Sequence, residues 1–389
     1  MASSGFQRLV HGHQDLVLAV DYNLYGTRMV TASSDHRLRV RERDEKTGLW
    51  NLVDVWTAHD AEVTDVKWNA PFVGEHIASI GEDGFIRVWQ EDVNQVPNSG
   101  RRFTYIFERQ TDTGLPYMSL DFKNIGSETH LAVITRDGFL SIFEPEDFDD
   151  LSSWHTLWSE QVCEPPPRTE ESSFRLSWHK EKLPAWPAVL AGLDRRSLSL
   201  AVSIGGVVKV FRTGVDRVPF LAATLDSARD LILDVSWANG SMRGFDIIAT
   251  VSKDGFLRIY ELHTPGATTL STSARSHVNA LPRSQTSRRT HGSMNGNSSR
   301  SVRSGIGAGL ANGERSLQGG NPAGPDIVKQ DVKLVAELEM HGTTPWRVGW
   351  SDIGDVVVCT GDDGSIRFWK KAIDGKWLEA AEVDALKTT

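Results

Sequence analysis

Cysteine is scarce in this chain, since its 389 residues include only Cys163 and Cys359. The two lie far apart and form no CxxC pair, so neither a disulfide framework nor a zinc site is expected, and the composition indicates a reducing compartment. Long apolar runs are also missing. None approaches the roughly 18 residues of a membrane-spanning helix, and residues 1–8 lack the apolar core of a secretion signal. We therefore expect a soluble intracellular protein that reaches membranes only through partners or surface charge.

An excess of positive charge is missing too. The 42 Lys and Arg residues are outnumbered by 51 Asp and Glu residues, for a net charge of −9 at pH 7. Because nucleic-acid binding depends largely on basic groups that neutralise phosphates, this balance predicts no specific nucleic-acid partner. Residues 264–330 are the exception, with eight basic residues against two acidic ones. That segment has two interpretations, a contact for anionic lipid or RNA and a solvated linker.

What the chain does contain is a repeated turn followed by an apolar strand. The clearest copy spans residues 81–89, where Asp83-Gly84 separates two apolar runs. This pattern predicts a tight hairpin turn at Asp83 and Gly84, because glycine readily adopts positive φ. The six copies have their turns at Asp35, Asp83, Asp137, Gly205, Asp254 and Asp363. The turn aspartates resemble a carboxylate set for acid-base chemistry, but one per repeat favours a role in turn formation.

The segments around each turn predict four antiparallel strands per repeat, which is typical of a β-propeller blade. Successive turns are 48, 54, 68, 49 and 109 residues apart. The last interval is long because it contains residues 264–330, a Ser/Gly/Arg-rich stretch without periodicity that we predict to be disordered. Strand alternation resumes after it, so it is placed in the outer hairpin of the fifth blade. The predicted organisation is blades one to five in 1–263, the insertion in 264–330, and the outer strand of blade five with blade six in 331–389.

The two ends of the chain predict an open ring. The last repeat continues into a fourth strand of its own at residues 376–383, whereas residues 6–10 are left over as an orphan strand. An all-β fold of six locally completed blades therefore has room for another element, and its unpaired edges would invite a partner.

The turns, Gly12-His13, Ala58-His59-Asp60, Trp89 and Trp369 resemble the WD-repeat family over most of the chain. In that family a His, a Ser or Thr, the turn Asp and a Trp form a hydrogen-bonded set in each blade. The resemblance implies such a set in blade two, at His59, Ser79, Asp83 and Trp89. The first blade has Arg41 at the Trp position, and the fourth has Gly205-Gly206 in place of Asp-Gly, so these sets are expected to be incomplete.

Further motifs are similar to the WD-repeat nucleoporins of the Y-shaped nuclear pore scaffold. They lie in residues 15–22, 25–26, 33–35, 47–50, 56–60, 99–103 and 150–154. This resemblance implies a structural protein of the nuclear envelope that supports mRNA and protein transport, with other nucleoporins of that complex as partners. It also implies a helical nucleoporin that donates a seventh blade in trans, and a shared role in an amino-acid-signalling complex at the vacuolar membrane. Strand pairing at a sheet edge is a known mode of such recognition.

The partner is expected at the blades that border the opening, the first and the sixth. The inner strands and the segment before them are our candidates for contact, namely Leu9, Val10, Leu16, Leu18, Val20, Trp346, Val348 and Trp350.

Three rival interpretations are weaker. His11-Gly12-His13 lacks a third metal ligand, and residues 305–309 imitate a dinucleotide loop without the flanking strand and helix. An enzyme or ligand-binding propeller needs a convergent set of titratable residues, which the sequence does not place in a central channel. We therefore predict no enzyme activity, no cofactor and no metal. A vesicle-coat propeller with the same fold and binding mode is the alternative that stays open.

Overall fold

The computed structural model describes residues 9–167, 169–266, 327–340 and 342–384. In these residues 24 strands form six antiparallel sheets of four strands, and each sheet is built from four consecutive strands. The predicted six-bladed β-propeller is therefore confirmed, and blade six supplies its own outer strand. None of the helices in these residues is long and apolar enough to cross a membrane.

The first strand of each blade is the inner one and the fourth is the outer one. In chain order the strands are β1 (Val17–Tyr22), β2 (Arg28–Ser33), β3 (Arg37–Arg43) and β4 (Trp50–Thr57) in blade one; β5 (Val63–Trp68), β6 (His76–Gly81), β7 (Phe85–Glu91) and β8 (Phe103–Gln110) in blade two; β9 (Tyr117–Ile125), β10 (Glu128–Thr135), β11 (Phe139–Asp147) and β12 (Asp150–Gln161) in blade three; β13 (Phe174–Trp178), β14 (Ser199–Ile204), β15 (Val207–Thr213) and β16 (Pro219–Leu225) in blade four; β17 (Ile232–Trp237), β18 (Asp246–Ser252), β19 (Phe256–His263) and β20 (Asp331–Glu339) in blade five; and β21 (Pro345–Trp350), β22 (Val356–Gly361), β23 (Ser365–Lys371) and β24 (Trp377–Asp384) in blade six. A short helix, α1 (Trp186–Leu190), and one turn of 3-10 helix (Ser241–Arg243) lie in connections.

The hairpin turn of blade two differs from the predicted one in its type. The N–H of Gly84 donates to the carbonyl of Gly81 at 3.1 Å, so Glu82 and Asp83 are the central residues of the turn. Gly84 follows them with a φ of 79°. This is the three-residue hairpin, in which a glycine in the left-handed region returns the chain to the strand. In blade one His36 takes this conformation at a φ of 67°.

Each blade packs its two faces against different neighbours. We call leading the face that carries Ile77, Ser79 and Trp89 in blade two, which meets blade one, and trailing the face that carries Ala78 and Val88, which meets blade three. Five of the six hydrophobic clusters in the described residues fill the junctions between consecutive blades. The sixth is small and lies beside α1. Within the described residues, no such cluster fills the junction between blades six and one.

The long connection of blade five lies between β19 and β20, which pair with each other. Residues 267–326, most of the stretch predicted to be disordered, lie outside the described residues. Both ends of the predicted segment 264–330 are packed against the propeller. Thr264, Val328 and Gln330 lie within these limits and are buried. Gln330 accepts a hydrogen bond from the guanidinium of Arg212 at 3.0 Å, which ties the end of the segment to blade four.

Candidate functional site

Blade two contains the hydrogen-bonded set that the family resemblance implied. His59 Nδ1 lies 2.9 Å from Asp83 Oδ1 and its Nε2 lies 2.8 Å from Ser79 Oγ. The indole N–H of Trp89 donates to the same hydroxyl at 2.9 Å. These three contacts are satisfied when Nδ1 carries the ring proton and Ser79 donates to Nε2. Although burial opposes ionisation, the hydrogen bond from His59 and those from two backbone N–H groups hold the pKa of Asp83 well below its usual range. The carboxylate is thus a fixed acceptor within the blade.

Blade one keeps three members of this set. His13 lies 3.0 Å from Asp35 Oδ2 and 2.8 Å from Thr31 Oγ1, so both of its ring nitrogens are engaged within the blade. Arg41, which stands at the Trp position, instead donates to the carbonyls of Val10 and His11 at 2.9 and 2.8 Å. The remaining turn carboxylates, Asp137, Asp254 and Asp363, accept hydrogen bonds from side chains of their own hairpins.

Ser79→Ala is expected to lower the free energy of unfolding by about 1–3 kcal/mol, because His59 Nε2 and the Trp89 N–H both lose their buried partner. Urea unfolding at pH 7 measures the change. Ser141→Ala is the control, since its hydroxyl contact with Ser159 is exposed, and a change below about 0.5 kcal/mol is expected there. Equal effects of the two substitutions would contradict the structural role of the set.

Side-chain acceptors link the inner strands of consecutive blades around the axis. In each link a carboxylate or hydroxyl oxygen on one blade accepts a hydrogen bond from a backbone N–H of the next blade. These hydrogen bonds fix the position of neighbouring inner strands relative to each other. One link at each of the five junctions joins Asp21 to Trp68 at 2.6 Å, Asp65 to Leu120 at 3.4 Å, Asp121 to Trp178 at 2.9 Å, Ser177 to Trp237 at 3.0 Å and Asp234 to Val348 at 3.0 Å. Blades three and four share a second link, from Ser119 to the N–H of Leu176 at 3.2 Å.

The junction between blades six and one is built differently. Arg347 and Gly349 occupy the acceptor positions on β21, as shown by their pairing with Thr360 and Val358. Neither side chain can accept a hydrogen bond. Instead the Arg347 guanidinium donates to the carbonyl of Leu18 at 2.9 Å. A flexible side chain therefore joins the two blades at the axis, in place of the short carboxylate or hydroxyl link found at the other junctions.

The trailing face of blade six is incompletely covered. The second and the third strand of each blade place two side chains each on the trailing face. In blades one to five these 20 side chains are all at most 3% exposed. Val358, Thr360, Ile366 and Phe368 occupy these positions in blade six, and all four are half-buried. The residue types are as apolar as in the other blades. Among the described residues, blade six therefore ends on an apolar face that no neighbouring blade fully covers.

The leading face of blade one is the other wall of this junction. Val20 and Tyr22 are each 49% exposed. The residues at the register of Val20 in the other five blades are at most 8% exposed, and those at the register of Tyr22 are buried, except for a half-buried Trp350. We call the space between these two faces the open junction.

The predicted contact residues differ in their exposure and in the face on which they lie. Val10, Leu16, Val20 and Trp346 are exposed, while Leu9 and Leu18 are half-buried. Val348 and Trp350 do not face the open junction. Both lie on the leading face of blade six, where Val348 is only 8% exposed and the Trp350 indole donates to the carbonyl of Ser236 in blade five at 3.1 Å. Alternation along the strands puts the uncovered side chains on β22 and β23 instead.

The central channel does bring titratable residues together, which the sequence alone did not reveal. Asp21, Lys67, Asp121, Lys180 and Arg347 all line it. Burial lowers the pKa of Lys67, but the carboxylates of Asp21, Asp65 and Asp121 outweigh burial and raise it above its usual range. Asp21 and Asp121 are already acceptors in the links between blades. Among the described residues no three His, Cys, Asp or Glu side chains are arranged to hold a metal ion. The glycines at 305–309 lie outside the described residues.

Comparison with known proteins agrees with this architecture. The family model described as WD domain, G-beta repeat matches residues 5–41, 50–90 and 332–370. Nucleoporin SEH1 of Saccharomyces cerevisiae is 30% identical over 366 residues, which cover 92% of this chain and 93% of that protein. Nucleoporin SEH1 of Chaetomium thermophilum is 26% identical over 97% of this chain and 94% of its own length, and the Homo sapiens protein of that name is 26% identical over 94% and 84%. With WD repeats, six blades and similarity over nearly the whole length, the chain belongs to the Nucleoporin SEH1 family of the nuclear pore complex.

Proposed function

We propose that this chain is a structural scaffold protein of the nuclear pore complex that accepts a blade donated by a helical nucleoporin at the open junction. The observation that carries the proposal is the exposure difference between equivalent positions. The trailing-face positions whose side chains are buried in blades one to five have half-buried side chains in blade six. A sheet laid against them would remove apolar surface from water, which stabilises a complex by about 25 cal/mol per Å² before the costs of association.

The same junction favours a strand-like occupant over a small molecule. Its two walls are sheet faces, so a blade in this position would repeat the packing that joins the other blades. Main-chain hydrogen bonds between donated strands would satisfy the backbone of the guest. The protein's contribution is then a rigid frame of fixed geometry, and no catalytic step is required of it. Through such a partner the chain would support transport of mRNA and protein at the nuclear envelope.

Affinity purification from cell extract, followed by mass spectrometry, tests the proposal. Recovery of helical nucleoporins together with other members of the Y-shaped complex is expected. Recovery of vesicle-coat subunits alone would overturn it. An additional recovery of subunits of the vacuolar amino-acid-signalling complex would extend the same mode of binding to that assembly.

A further inference from the structure

One arginine on the leading face of blade one lacks the acidic partners of its counterparts. Arg87, Arg258 and Arg367 each stand four residues after the turn aspartate of their blade. Each forms an ion pair with that aspartate and a second one with a glutamate on the outer strand, at N to O distances of 2.6–3.3 Å. The three glutamates, listed in the same order, are Glu108, Glu337 and Glu382, each directly opposite its arginine.

Arg39 is the residue at this position in blade one, four residues after Asp35. The residue opposite it on the outer strand is Val55 instead of a glutamate. Within the described residues Arg39 forms no ion pair. Its Nε has no hydrogen-bond partner, as is also the case for Arg258 and Arg367. Asp35 is occupied by His13 and by the N–H of Gln14. Arg39 is half-buried in the free chain. A guest laid over it would bury its guanidinium group, which is costly unless the guest supplies a counter-charge.

A second arginine, Arg41, lies near Arg39. Burial and the nearby charge of Arg39 both lower the pKa of Arg41, and the same charge contributes to the lowered pKa of His13. In blade two, the corresponding Arg87 lines a groove shared with Trp56 and Thr57 of blade one. By the repeat of the blades, Arg39 faces the open junction. The wall on this side therefore carries an arginine beside the exposed Val20 and Tyr22, whereas the wall formed by Ile366 and Phe368 is apolar.

We propose that the donated segment presents a carboxylate to Arg39, which takes the place of the outer-strand glutamate that blade one lacks. The inference rests on the proposed function and specifies the chemistry of its partner. One face of the guest is apolar and covers Val358 and Phe368, while the other carries an Asp or Glu at the level of β3. This charge requirement distinguishes the two faces and so fixes the orientation in which the guest enters.

The test uses the full chain and the helical nucleoporin that co-purifies with it, expressed and purified. Arg39→Gln is expected to raise the Kd about 10-fold or more, because the guest's carboxylate is left buried without its partner. Arg39→Lys should recover part of this loss, and Arg101→Gln, an exposed arginine on a loop of blade two, should change the Kd less than about 2-fold. The thermal unfolding of the free Arg39→Gln chain should match that of the wild type, which separates partner binding from folding.

A second variant supplies the missing group internally. Val55→Glu restores the arrangement of blades two, five and six, so it should raise the Tm of the free chain and weaken binding of the nucleoporin. Val55→Gln, with the same size and no charge, should do neither. Wild-type affinity in both Arg39→Gln and Val55→Glu would overturn the inference while the proposed function stands. Failure of the wild-type chain to bind any helical nucleoporin would overturn both.

Discussion

Phe368→Asp is expected to weaken binding of the helical nucleoporin by about 100-fold or more while the chain remains folded. In the free protein Phe368 is half-buried at the open junction, so an aspartate there stays in contact with water. In the proposed complex the same carboxylate would be enclosed between two apolar faces without a partner, which is strongly unfavourable. The Kd is measured with the purified nucleoporin, and the unfolding of the free chain is followed in urea.

Val88→Asp is the matched control for that substitution. Val88 holds the same position in blade two, opposite Ala78 as Phe368 is opposite Val358, but it is 0% exposed. A carboxylate there is buried in the free chain, so we expect a loss of more than about 4 kcal/mol in the free energy of unfolding. Phe368→Asp should lower the free energy of unfolding by only about 1 kcal/mol. Full nucleoporin affinity in Phe368→Asp would show that the trailing face of blade six is not the binding surface.

Asp246→Asn is expected to lower the free energy of unfolding by about 3–5 kcal/mol, because it leaves a buried arginine uncompensated. Arg212 and Asp246 are completely or almost completely buried, and their side chains approach to 2.5 Å between blades four and five. Removing one partner of such a pair costs more than replacing both. Arg212→Met with Asp246→Leu should therefore recover most of the loss.

The pH dependence of this effect has a definite sign. Burial opposes ionisation of Asp246, but the Arg212 guanidinium outweighs it and holds the pKa below the ordinary value of 3.8. A depressed folded-state pKa gives stability that is present above the unfolded-state value and is lost as pH falls through the folded-state value. The difference in the free energy of unfolding between wild type and Asp246→Asn should thus be largest at neutral pH and should decrease below about pH 4. Urea unfolding at pH 7 and pH 3 measures it.

Arg229→Gln is the control for the buried pair. Arg229 approaches Glu337 to 3.4 Å, but its side chain is 68% exposed and Glu337 keeps its ion pair with Arg258, so a loss below about 1 kcal/mol is expected. An equally small loss in Asp246→Asn would contradict the prediction that the ion pair between Arg212 and Asp246 stabilises the fold.

The repeats were readable from sequence because each local signal agrees with the others. Asp83-Gly84 marks a turn, alternating apolar residues mark the strands beside it, and His59 and Trp89 mark the hydrogen-bonded set. These features act within one blade, over fewer than about 50 residues, so the order of residues along the chain is enough to find them. The exact turn type was missed because Asp-Gly is compatible with both two- and three-residue hairpins.

The inner links and the unpaired arginine were missed for a different reason. Asp21 bonds to Trp68 in the next blade, and the state of Arg39 depends on Val55 across a sheet register. A comparison of the repeats position by position could have found both, since Asp or Ser recurs on the inner strands and glutamate opposes arginine in three blades.

The sequence by itself determined the number of blades, the residues of their turns and the local completion of blade six, since strand alternation and turn chemistry are properties of neighbouring residues. It could not decide which faces stay uncovered. Ile366 and Phe368 are of the same residue types as side chains that are completely buried in other blades, and Val348 and Trp350 looked equally available. Only the tertiary structure separates them, because exposure is set by what packs against a face, and the neighbour of a face lies in another blade or in another chain.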